Sequence, residues 1–86
     1  MEINDTLFCT WDGKHVRLAI PDYMITADRN ATDVARPLVG ERAKVFGGNP
    51  RQWTHTVTLS RLIMAGGCDY PYATFEVADV VARRKK

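Results

Sequence analysis

Cysteine is scarce in this chain: Cys9 and Cys68 are the two present, and they form no C-x-x-C pair. With His15 and His55 they make four soft ligands, but the gaps of 6, 40 and 13 residues match no close-paired zinc pattern. No metal is therefore expected. A disulfide across so long a loop would stabilise the fold. Residues 1–9, however, carry acidic groups and no cationic leader. The expectation is a reducing, cytoplasmic setting in which both thiols act as small buried side chains.

Long apolar runs are missing too. The longest, 62–65, is far too short to cross a bilayer, so no membrane partner is expected. Neither G-x-x-x-x-G-K-[ST] nor G-x-G-x-x-G occurs, which removes the common phosphate-cradling loops. The seven Asp and three Glu are spread singly, without the pairing that acid–base catalysis needs. Cys68 follows Gly66-Gly67 and has His55 as a conceivable base, a generic arrangement that reads as incidental. No catalytic residue and no cofactor are assigned, and the chain is expected not to be an enzyme.

What is present suits one small folded domain. The 86 residues are 45% hydrophobic and 26% charged, an ordinary globular balance that leaves no room for a second domain. Twelve Lys and Arg stand against ten Asp and Glu. Four of those positives are Arg83, Arg84, Lys85 and Lys86, so residues 1–82 carry a net −2. The division is a globular domain at 1–82 followed by a basic tail at 83–86.

The opening segment predicts an antiparallel hairpin. Residues 6–11 are rich in β-branched and aromatic types, Asp12-Gly13 is a strong turn pair, and 14–20 alternates polar with apolar. Pro21 closes the second strand. Tyr23, Met24 and Ile25 could add a short strand before Asp28-Arg29-Asn30. From Thr32 a helical period runs to Phe46, with Pro37 forcing either a kink or a later start, and Gly47-Gly48 as the stop. Alternation over 53–59 predicts a strand, after which Ser60 caps a short helix at 61–65 that ends at Gly66-Gly67. The competing reading is one helix over 50–65. For 73–84 the polar stripe Glu76, Asp79 and Arg83 favours a helix over a strand.

These elements add up to a small α+β domain: an N-terminal antiparallel hairpin, a further strand, and two or three short helices on one face. The alternative is a small β-barrel with strands at 42–46, 53–59 and 73–82.

Function follows from surface chemistry alone. Aromatic rings at loop tips are rigid amphipathic contacts, which nominates Trp11, Tyr70, Pro71 and Tyr72 as a protein-interaction site. A domain this small also gains stability from a partner, so another protein or a second copy in a homodimer is expected. The primary expectation is a non-enzymatic interaction or regulatory module. The alternative is nucleic-acid binding through Arg42, Lys44, Arg51, Arg83, Arg84, Lys85 and Lys86, with Trp53, Tyr70 and Tyr72 as stacking groups. No zinc-finger, helix-turn-helix or RNP-like pattern supports that alternative.

Overall fold

A computed structural model describes residues 7–11, 13–67 and 70–83. Five strands, β1 (Phe8–Trp11), β2 (His15–Ala19), β3 (Arg42–Phe46), β4 (His55–Gly66) and β5 (Tyr72–Ala82), close into a barrel in the spatial order β1-β2-β5-β4-β3. Among the described residues the one α-helix is α1 (Ala31–Ala35). The α+β expectation is thereby overturned, and the chain builds a closed β-barrel instead.

The N-terminal hairpin forms by local pairing, with Thr10 opposite Arg17 and Trp11 opposite Val16. Gly13 supplies the positive φ (+95°) that the tight turn demands. Its neighbour Asp12 lies outside the described residues. β1 pairs in parallel with β3, Phe8 to Lys44 and Thr10 to Phe46. Parallel neighbours cannot be joined by a tight turn, and residues 20–41 supply the crossover, with α1 inside it. This non-local pairing is what shuts the barrel.

Each misread segment has an identifiable cause. In the crossover, Asn30 rather than Thr32 caps the helix: its side chain accepts from the Asp33 amide, and Asp33 returns the bond. Pro37 cannot continue the helical ladder, so the chain tightens into a 3₁₀ turn at Arg36–Leu38. Val39 is already extended and Gly40 follows at φ +99°, so helical backbone ends well before Gly47-Gly48. From Arg42 onward Ala43 and Val45 turn inward as a strand, so 42–46 is β3 and not helix. The possible strand at Tyr23, Met24 and Ile25 is replaced by a 3₁₀ turn at Asp22–Met24.

The expected helix at 61–65 is the second half of β4. Two bulges occur there: β4 advances two residues for one of β5 between Leu59 and Arg61, and again between Leu62 and Met64. The bulges convert a spacing of two into a spacing of three, so Leu59, Leu62 and Ala65 all meet the core. That spacing imitates a helix in the sequence. β5, expected as a helix over 73–84, carries its own bulge: it advances three positions from Ala78 to Val81 where β4 passes only two, from Thr58 to Thr56. Asp79 sits in the bulge at φ +51°, which removes it from the apolar alternation of Ala73, Phe75 and Val77.

The interior is filled by side chains of alternating size. Phe75 and Leu59 are fully buried beside Ala43 and Ala73, with Cys9, Val16, Val45 and Val57 completing the layers. From α1, Ala31, Val34 and Ala35 pack into the same core, the helix lying against β4 and β5. Because β4 and β5 are twice the length of β2 and β3, the molecule measures 45 × 25 × 23 Å.

Candidate functional site

Pleating sends alternate residues outward, and register aligns them into rows across the barrel wall. Thr74 of β5 faces Arg17 of β2, Arg17 faces Thr10 of β1, and Thr10 faces Phe46 of β3. A second row begins with Tyr72 opposite Ala19. Continuing the β1–β2 register brings Phe8 beside Ala19, and Phe8 pairs with Lys44. The outer wall of β5, β2, β1 and β3 thus gathers three aromatic rings and two cations that are scattered through the chain.

Within that wall the rings and cations contact one another. The Arg17 guanidinium lies 4.5 Å over the centre of the Tyr72 ring. Phe8 and Phe46 meet edge to face at 6.4 Å. The Lys44 ammonium stands 5.7 Å from the Phe8 ring and 4.9 Å from Trp53. Arg83 completes the series, its guanidinium 4.5 Å over Trp53, with Nη1 donating to the carbonyls of Arg51 and Trp53. Cations over rings are held by the ring quadrupole and lose less freedom on meeting a ligand.

Depressions open on this wall, and two of them adjoin. A groove of about 260 Å³ runs between Arg17, Phe8 and Phe46 on one side and Tyr70, Pro71 and Tyr72 on the other. Across Phe8 and Ala19 it continues into an apolar cleft of about 500 Å³ against Ile20, Met24, Val34 and Leu38. Tyr70, 86% exposed, lines the first depression and Tyr23, 80% exposed, the second. Arg17 and Arg29 are charged members of the lining, and no carboxylate lines either depression among the described residues.

The expected interaction residues divide. Tyr70, Pro71 and Tyr72 line one groove together, Pro71 being buried with its carbonyl accepting from the Ile20 amide. Trp11 is not a loop-tip contact. It points into the barrel, half-buried, with its ring 4.8 Å from that of His55, and its Nε1 finds no acceptor among the described residues. The cationic set divides as well. Lys44 and Arg83 converge on Trp53, and the backbone of Arg51 joins them. Arg42 is spent internally: its guanidinium donates to the hydroxyls of Thr56 and Thr58 and to the carbonyl of Asp79, at 2.8, 2.8 and 2.9 Å. Arg84, Lys85 and Lys86 lie outside the described residues.

Three members of the wall were not nominated from the sequence: Phe8, Phe46 and Arg17. Each is the outward partner in a strand whose inward residues are buried, but only barrel closure shows that they share a wall.

Elsewhere the chemistry is quiet. Cys9 is fully buried and unbridged, and desolvation pushes its thiol up to about 12. Cys68 lies outside the described residues. No group of three or more His, Cys, Asp or Glu is placed to hold a metal among the described residues. On the β4–β5 hairpin, Arg61 donates from Nε and Nη2 to the two carboxylate oxygens of Glu76 at 3.1 and 3.0 Å, and this bond holds the Glu76 carboxyl below its ordinary range.

The fold and site define a small closed β-barrel with an aromatic and cationic outer wall. No family model, curated protein or solved structure matches the chain. No helix among the described residues is long and apolar enough to cross a membrane.

Proposed function

We propose that this chain is a non-enzymatic protein-interaction module of the cytoplasm that seats an extended segment of a partner protein along the groove between Tyr70 and Tyr23. The observation that carries this reading is the exposure of Tyr70, 86%, beside a groove walled by other rings. An exposed ring at the lip of an apolar depression is the usual anatomy of an interaction anchor. Arg17 and Arg29 line the path with no acidic residue in the lining among the described residues, so the favoured segment combines apolar side chains with a carboxylate. Burial of such a segment would also compensate for the thin core of so small a domain.

Selection of displayed random peptides on the full chain tests the proposal. Recovered peptides should be apolar and acidic, and Tyr70→Ala should weaken them about tenfold or more. Ala19→Arg, which fills the middle of the groove, should do the same. Failure to recover peptides, or peptides insensitive to both changes, would remove the reading. Light scattering over a range of concentrations shows whether a second copy takes the same groove.

A further inference from the structure

We propose that the guanidinium–ring pairs Arg17–Tyr72 and Arg83–Trp53 form a binding site for single-stranded nucleic acid. This goes beyond the protein-binding reading and does not depend on it.

The two pairs are built alike. In each, the guanidinium carbon lies 4.5 Å from a ring centroid. A guanidinium stacked this way keeps its outer plane for a base, and the ring beneath fixes its orientation; Arg83 also donates from Nη1 to the carbonyls of Arg51 and Trp53. The pairs flank the wall from opposite sides. Tyr72 belongs to β5 and Lys44, which contacts Trp53, to β3, with β2 and β1 between them. Three strand spacings of about 4.8 Å make a path of roughly 14 Å along the curved wall from the Tyr72 strand to the Lys44 strand. The interval is occupied by further rings, Phe8 and Phe46, with Lys44 over Phe8. Rings alternating with cations across a sheet suit a flexible polyanion whose bases have free π-faces. In a duplex those faces are already stacked, so the arrangement selects single strands.

Charge on the remaining surface fits the assignment. Among the described residues no acidic residue lines the depressions on this wall. Two of the acids on the neighbouring hairpin are engaged where they stand, Glu76 with Arg61 and Asp79 with Thr58. Arg42, bound to Thr56, Thr58 and Asp79, is excluded from it.

The experiment is fluorescence anisotropy of the full chain with labelled DNA and RNA single strands of about 15 nucleotides and a duplex of the same length. Both single strands should bind, with log K falling against log salt at a slope of about −2, near −0.7 for each of three phosphate contacts. The duplex should bind about tenfold more weakly or worse. Arg17→Ala and Arg83→Ala should each weaken single-strand binding about tenfold and flatten the slope by about 0.7. Arg17→Lys and Arg83→Lys keep the charge but lose the plane, and should recover only part of the affinity. Arg61→Ala, on the Glu76 side of the hairpin, should change nothing, and thermal melts confirm that each variant is folded. Absence of single-strand binding at low salt would overturn the proposal, as would equal affinity for the duplex. So would Lys variants that bind like the parent while Arg61→Ala weakens binding as much as Arg17→Ala does, since that pattern is diffuse charge.

Discussion

The Arg42 guanidinium donates to the backbone carbonyl of Asp79 at 2.9 Å, tying β3 to the one non-glycine residue with positive φ among the described residues. The same Asp79 accepts a longer bond from Thr58, itself an acceptor for Arg42. One side chain therefore fixes the β5 bulge that keeps Asp79 out of the barrel.

From this contact, Arg42→Ala should destabilise the protein by about 1–2 kcal/mol, the cost of charge-assisted hydrogen bonds that are partly solvent-exposed. Asp79→Gly relieves the backbone and should be close to neutral, whereas Asp79→Val combines positive φ with a branched side chain and should cost more than about 1 kcal/mol. Guanidinium unfolding midpoints separate the three. If Arg42→Ala leaves the midpoint unmoved, the bulge is held by the strands alone.

Two glycines at nearly the same φ should respond differently to alanine. Gly40, at +99°, has open space where a Cβ would go, so Gly40→Ala should cost about 1 kcal/mol of backbone strain. Gly67, at +95°, would drive its Cβ against the Tyr70 carbonyl and the Pro71 Cα. Gly67→Ala should therefore cost more than Gly40→Ala and displace the Tyr70 loop. Peptide binding at the groove should fall with Gly67→Ala and survive Gly40→Ala. Titration of both variants, alongside their melts, checks this.

Cys9 should make stability fall at alkaline pH. Its thiol is raised from 9.0 to about 12 by burial. The folded state thus holds the proton through a range in which the unfolded state releases it. The contribution is fully present below pH 9 and is lost as pH rises from there toward 12, by at most about 1.4 kcal/mol per pH unit. Cys9→Val should abolish that slope while keeping the core filled. Alkylation followed by peptide mapping should find Cys9 protected in the folded protein and labelled on unfolding. Rapid labelling of native Cys9 would contradict its place in the core.

The sequence by itself determined the elements whose information is local. The hairpin of β1 and β2 follows from alternation on both sides of Asp12-Gly13, and the chain needs only a few residues to form it. The strand character of 53–59 is equally local, though regular pairing begins at His55. Tyr70 was legible as a turn residue for the same reason, beside a proline that cannot join a sheet interior, whereas Tyr72, expected in the same loop, opens β5 and pairs with Ala19.

The remaining elements depend on long-range pairing. At 61–65 and in β5, bulges shift the inward positions off a spacing of two, and a helix is the simplest reading of the pattern that results. Pairing along β4 and β5 overrides that pattern because each strand satisfies the other's backbone hydrogen bonds over more than ten residues. At 42–46 the choice rests on a parallel partner 36 residues upstream, which closes the barrel and is invisible to any local window. The candidate site depends on the same closure. Phe8, Arg17, Phe46 and Tyr72 become neighbours only because β3 docks beside β1 and β5 beside β2, and side-chain contacts among four strands exist only once those registers are set.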